Sequence, residues 1–134
     1  MNRNNYSIFS NHIKETDFGP EPFIVSINNT ARRNSNYRTA LWTGHYLQLT
    51  VMSIPAGGDI GMEVHPDTDQ YIRIESGIGL AQMGKTEDKL NYQSQVREND
   101  AVFVPAGTWH NITNIGNRPM QISTVYAPPH HPHG

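Results

Sequence analysis

Gly57 to Gly77 reads GGDIGMEVHPDTDQYIRIESG, and Asn99 to Asn114 reads NDAVFVPAGTWHNITN. Each stretch joins short runs rich in Ile, Val, Tyr and Phe through turns of Gly, Pro and Asp, the pattern of β-strands and tight connections. Each also sets polar side chains beside those turns. Glu63 and His65 stand two residues apart, which puts both on one face of an extended chain. Gln70 opens the next predicted strand after the turn Pro66-Asp67-Thr68-Asp69, and His110 follows Pro105-Ala106-Gly107-Thr108. Side chains brought to the ends of separate strands in this way can converge inside a barrel.

The same pattern continues on either side. Strands are expected at Phe23–Asn28, Arg38–Thr43, Tyr46–Ile54, Gly61–His65, Gln70–Glu75, Gly79–Met83, Leu90–Gln95, Ala101–Val104, Trp109–Thr113 and Met120–Tyr126. Many short strands at regular intervals predict a sandwich or barrel. Ser7 to Glu15 is the one helix candidate, and Thr30–Tyr37 reads as a polar loop. The prolines after Ala127 lack N–H donors, so the tail 127–134 is expected to lie extended along the surface or hang free.

Composition narrows the function classes. The chain has 134 residues, the length of one domain, with an irregular N-terminal segment expected over about 1–20. Lys+Arg number 10 against Asp+Glu 12, so no basic footprint for nucleic acid exists. No apolar run approaches the roughly 20 residues that cross a bilayer, and MNRNNYSIFSNHIKE has no apolar signal core. Cys is absent, which excludes a disulfide framework and thiolate chemistry. The expectation is a cytoplasmic protein with no membrane or nucleic-acid partner.

Two imidazoles, a carboxylate and an amide oxygen suit a divalent transition metal: Zn, Fe, Mn, Ni or Cu. Glu63, His65, Gln70 and His110 are therefore the candidate metal ligands. Gln70 has a second reading, because a neutral amide is a poorer ligand and can instead orient a water or Glu63. Glu63 and His65 can alternatively form a surface pair, and His110 can simply cap its turn. Asp67 and Asp69 are assigned turn hydrogen bonds, Gly77 and Gly107 positive φ, and Asn114 a bond to the turn near Gly116. His130, His131 and His133 invite a second metal site, although tail histidines between prolines are commonly solvated. His12 and His45 have no partner within motif range.

These residues resemble the cupin superfamily. Its first motif runs Gly, five residues, His-x-His, three or four residues, Glu, six residues, Gly. Gly57, Glu63, His65, Gln70 and Gly77 stand at those spacings. Its second motif runs Gly, five residues, Pro-x-Gly, two residues, His, three residues, Asn, matched by Asn99, Pro105, Gly107, His110 and Asn114. The two lie 21 residues apart, and the resemblance spans Leu41 to Tyr126. It implies an all-β double-stranded β-helix, the jelly-roll barrel of cupins. The sequence looks closest to small single-domain bacterial cupins described as mannose-6-phosphate-isomerase-like, which carry Glu-x-His and Asp-Gln, with RTALWTG upstream and YAPP downstream. Relatives in that group continue past the final His-Pro-His-Gly, so a longer chain is expected.

The departures fall on the ligands: Glu63 replaces the family's first His, Gln70 its Glu, and Asn99 its opening Gly. Three His and one Glu become two His, one Glu and one Gln, and the formal charge of the set is unchanged. Strand parity adds walls. If Gln70 points inward, Ile72 and Ile74 follow it while Arg73 and Glu75 face outward; Gln48 and Met52, with Ile72, become pocket candidates. Arg73 is expected to pair across strands with an acid or to sit at a dimer face.

Two functions follow from such a site. One is a metal-dependent enzyme, isomerase- or oxygenase-like, acting on a small oxygen-rich molecule. The other is a non-catalytic, sugar-like small-molecule binding or sensing cupin. The resemblance also implies a homodimer, with Phe23–Asn28 the expected edge for pairing.

Overall fold

The computed structural model describes residues 17–130, so the helix candidate Ser7 to Glu15 and His12, His131 and His133 lie outside the described residues. Within it, one helix and eight strands form two antiparallel sheets facing each other. They are α1 (Ile27–Arg33), β1 (Arg38–Thr43), β2 (Gln48–Ile54), β3 (Asp69–Ser76), β4 (Ile78–Gly84), β5 (Tyr92–Arg97), β6 (Ala101–Val104), β7 (Trp109–Asn114) and β8 (Met120–Ala127). The larger sheet has the order β1-β2-β8-β3-β6 and the smaller β5-β4-β7. Sequence neighbours are repeatedly separated in the sheets, as in a wound β-barrel.

Register sorts the barrel interior into layers. Gln48, Tyr126, Gln70 and Val104 align across β2, β8, β3 and β6. Thr50, Thr124, Ile72 and Val102 form the next layer, and Met52, Ile122 and Ile74 the one beyond. Polar groups thus gather at one end of the barrel. The other end is apolar, with Met52, Ile54, Ile60, Ile74, Ile112, Met120 and Ile122 in one buried cluster. Burial of these side chains supplies the main driving force, about 1.5–3 kcal/mol each.

Several expectations need correction. Phe23–Asn28 is not a strand: the chain there is irregular up to Ser26, and Ile27 begins α1. That helix also takes the first half of the predicted loop Thr30–Tyr37. Its seven residues are too few to be stable alone. It forms because Ala31 packs with Leu41, Leu49 and Val51 on the outer face of the larger sheet. This second cluster explains why β2 is buried on both faces. Gly61–His65 is not a strand either; within it Glu63 bridges to β7 at His110, and the residues before it meet β7 through the Asp59–Thr113 bridge and the bonds from Gly57 N–H to Asn114 C=O, Asn114 N–H to Gly58 C=O and Ile60 N–H to Ile112 C=O.

Glu75 departs most. Parity holds, since it leaves the barrel interior, but it is 0% exposed because the α1 segment covers it. Burial raises its pKa, and hydrogen bonds from Asn28, Ser123 and Arg73 outweigh this, so the net shift is downward. Asn28 Nδ2 donates to Glu75 Oε1 at 2.8 Å, Ser123 Oγ to Oε2 at 2.7 Å, and Arg73 Nη1 to Oε1 at 2.6 Å. Arg73 therefore finds its acid on its own strand, and its other arm reaches Asn99 Oδ1 at 2.8 Å.

Asn99 occupies a left-handed turn with φ of 77°, alone among the described non-glycine residues. Asparagine tolerates that region better than other side chains, which accounts for its standing where the cupin motif has Gly. Asn114 donates to the carbonyls of Ile54 and Arg118 and accepts from Gly116 N–H at 2.9 Å, so it ties three segments together at the apolar end.

Two stability outcomes follow. Glu75→Ala strands the buried Ser123 hydroxyl and part of Asn28, and is expected to cost about 2–4 kcal/mol in urea unfolding. Asn99→Ala is expected to cost about 1 kcal/mol, whereas Asn99→Gly stays within about 0.5 kcal/mol of the parent because glycine adopts positive φ freely.

Candidate metal centre

The site begins with a backbone contact. Glu63 N–H donates to His110 C=O at 3.0 Å and His110 N–H to Glu63 C=O at 2.9 Å. This pair lays the 57–65 connection along β7 and turns the Glu63 side chain toward the His110 ring. Two residues on, His65 is fixed by Gly107 N–H, which donates to its carbonyl at 2.8 Å. Gly107 has φ of 82°, so its motif position reflects a backbone requirement. Asp69 makes the turn bond expected of it, though to the opposite turn: its Oδ1 accepts from Ala106 N–H at 2.9 Å.

One ligand atom each from Glu63, His65 and His110 lies within 4.8 Å of the other two, a grouping able to hold a metal ion. Glu63 Oε1 is 3.3 Å from His65 Nε2 and 3.9 Å from His110 Nε2. Gln70 belongs to the same end of the barrel; its Nε2 donates to Thr124 Oγ1 at 3.0 Å, which leaves Oε1 as the outstanding polar atom. Glu63 Oε1, His65 Nε2, His110 Nε2 and Gln70 Oε1 are all buried with no hydrogen-bond partner. Orphaned buried acceptors cost about 1–3 kcal/mol each, and a shared cation relieves all of them together. The residues present thus fit a metal ion.

Protonation points the same way. Burial is the main cause that lowers the His65 pKa to about 4, helped by His130 and Arg38; the Gln70 amide acts in the opposite direction without reaching hydrogen-bond geometry. Burial likewise lowers the His110 pKa, partly offset by its bond to the Thr108 carbonyl. That bond, Nδ1 to Thr108 O at 3.0 Å, places the proton on Nδ1 and leaves the Nε2 lone pair facing Glu63. Both imidazoles are accordingly neutral at pH 7, the form that binds metals.

Sequence reasoning missed three neighbours. Arg38 Nη2 lies 3.7 Å from Glu63 Oε2. Tyr126, fully buried between Gln48 and Gln70, has its phenol pushed up to about 12 by burial and interacts with Arg38 and Thr124. The ring of His130, a residue of the tail, packs at a tilt of 53° against His65 with centroids 4.0 Å apart, and its backbone N–H donates to Gln48 Oε1 at 3.2 Å. Pairwise register would have found Tyr126, but no local spacing signal exists for Arg38 or His130. Of the pocket candidates, Gln48 stands in the polar layer, whereas Ile72 and Met52 belong to the apolar cluster beneath it. His45 is exposed and packs edge-on against Tyr46. No helix among the described residues is long and apolar enough to cross a membrane.

Comparison with known proteins agrees with this architecture. Residues 50–126 match the Cupin domain family, and the chain belongs to it. It is 52% identical over 118 residues to protein YrkC of Bacillus subtilis (strain 168), covering 88% of this chain and 63% of that protein, so it spans less than two thirds of that relative's length. The crystal structure of BH2720 from Bacillus halodurans superposes with a TM-score of 0.87 at 54% identity, covering 89% of this chain and 90% of that one. KdgF from Halomonas sp. superposes at 0.62 with 14% identity over 69% of this chain and 78% of that one, a likeness of fold alone.

The lowered imidazole pKa values set an acid limit. In the unfolded chain His65 and His110 titrate near the usual 6.5; in the folded, metal-free protein they resist protonation. The unfolded state therefore binds more protons below pH 6.5. Stability is expected to be fully present above that value and to fall as the pH drops from 6.5 toward about 4, the folded value for His65. Thermal midpoints of metal-stripped protein between pH 7.5 and 4 check this, and His65→Gln should flatten the slope.

Proposed function

We propose that this cupin holds one divalent transition metal through Glu63, His65, Gln70 and His110 and acts as a metal-dependent enzyme, isomerase- or oxygenase-like, on a small oxygen-rich molecule. The observation that carries the reading is the set of four orphaned acceptor atoms buried at the polar end of the barrel. Two imidazoles and a carboxylate form the ligand inventory of non-haem iron sites, and Zn, Mn, Ni or Cu are equally suited to the four-residue set. A metal bound there supplies Lewis-acid polarisation of a carbonyl or hydroxyl oxygen, with redox chemistry added if it is iron.

The protein's own groups prepare that environment. His110 is held in one tautomer by the Thr108 carbonyl. Thr124 fixes Gln70 by accepting from its amide, which directs the oxygen away from the hydroxyl. Gln48 and Tyr126 wall the same layer as Gln70. Met52 and Ile72 close the floor and keep water out from below.

A binding or sensing role without turnover is the second reading. It is favoured by the shortage of proton carriers: Glu63 is the one carboxylate in the cluster, and the Tyr126 phenol near 12 is a weak acid at neutral pH. Composition and family resemblance extend the proposal to a single domain over residues 1–134 in the cytoplasm, without nucleic-acid partners and forming a homodimer. The pairing edge is not a Phe23–Asn28 strand, since α1 begins there.

Elemental analysis of protein purified without an affinity tag tests the metal. About one equivalent per chain is expected, falling below about a tenth in His65→Ala and His110→Ala. Gln70→Ala should weaken affinity by roughly 10–100-fold without abolishing it. A wild-type protein that takes up none of the five metals would end the proposal.

A further inference from the structure

We propose that Arg38 is an anion-recognition residue, and that the small molecule bound beside the metal carries a carboxylate next to its chelating oxygen. This rests on the metal reading above and names the substrate class of that same site.

Charge balance is the first argument. Besides the Gln48 and Gln70 amides, the Tyr126 phenol and the His130 ring, the polar end holds two imidazoles that ligate as neutral groups, the Glu63 carboxylate and the Arg38 guanidinium, and the charges of Glu63 and Arg38 cancel. A divalent cation leaves the group two charges positive. His65 and Gln70 are each 4% exposed and His110 1%, so water reaches the excess charge mainly from the side of Glu63 and Arg38, whose side chains are 24% and 25% exposed. Uncompensated buried charge is costly, and an anionic ligand offsets it where a neutral one does not.

Geometry is the second. Arg38 stands opposite Met52 in the β1–β2 register, which places it on the inward face of an edge strand. Its Nη2 reaches Glu63 Oε2 at a long 3.7 Å, and its Nε is buried without a hydrogen-bond partner. A guanidinium offers adjacent N–H groups that match the two oxygens of a carboxylate; Glu63 and the Tyr126 phenol already engage this one, and its Nε–H is the donor left without a partner. The Tyr37 ring lies 5.5 Å from the guanidinium carbon and helps to hold its plane. When Glu63 shares its charge with a cation, its hold on Arg38 weakens and the guanidinium is available to a second anion. Four orphaned acceptors call for a cation; the one orphaned guanidinium N–H beside them calls for an anion.

Glycolate and pyruvate, with hydroxyacetone as the neutral counterpart, serve as probes by calorimetric titration into Mn²⁺- or Zn²⁺-loaded protein. The comparison is between the wild type and Arg38→Met, with Arg38→Gln as a second charge-free variant and metal content measured on each sample. The expected result is a loss of about 10–100-fold in carboxylate affinity in both variants, with hydroxyacetone affinity and metal content unchanged, and partial recovery in Arg38→Lys. Carboxylate affinity equal to the wild type in metal-loaded variants overturns the role of Arg38 and leaves the metal reading standing. Loss of metal from both variants makes Arg38 a support for Glu63 and also overturns it. Failure of the wild type to load metal overturns the metal reading, and the Arg38 assignment falls with it.

Discussion

The reciprocal backbone hydrogen bonds between Glu63 and His110 are the contact on which the functional end of this molecule depends. They join two segments that the chain separates by more than forty residues, and they do so without a continuous strand. The Glu63–His110 bridge is the last of the contacts that lay the 57–65 connection along β7, and at its end Glu63, His65 and His110 approach one another. The bond from Gly107 N–H to His65 C=O and that from Ala106 N–H to Asp69 Oδ1 stitch the two turns together beside it. The backbone contacts by themselves thus bring together a cluster able to hold a metal ion.

This arrangement is affordable because the barrel is polarised along its axis. The layer of Gln48, Tyr126 and Gln70 faces the bridge, while Met52, Ile74 and Ile122 fill the opposite end. The cost of orphaned acceptors is carried by an apolar cluster below and a second apolar contact outside, where α1 covers β2. The same helix buries Glu75, which is satisfied by three side chains from different elements. Two carboxylates therefore have opposite fates. Glu75 is saturated and structural; Glu63 keeps an oxygen without a partner at the site.

The fold was legible because strand signals are local. β1 and β6 fall at the predicted Arg38–Thr43 and Ala101–Val104, where alternation between breakers is unambiguous. α1 was not legible, since INNTARR has too few apolar residues for a helical period and owes its form to the sheet beneath it. Glu63, His65, Gln70 and His110 could be chosen from spacing because each flanks a turn. Arg38 could not, because its nearness to Glu63 depends on which strands pair and on the reach of a long side chain from a sheet edge.

The amino-acid order by itself determined the all-β class, the turns, the shared face of Gln70, Ile72 and Ile74, and the residue types available as ligands. These are consequences of neighbouring residues, through backbone preference and the two-residue period of a strand. Only the tertiary structure decided which polar atoms were left without partners, that Glu75 is buried, and that Arg38, Tyr126 and His130 border the cluster. Those facts arise from contacts between segments distant in sequence, and solvent exclusion, which gives them their energy, is a property of the assembled barrel rather than of any segment.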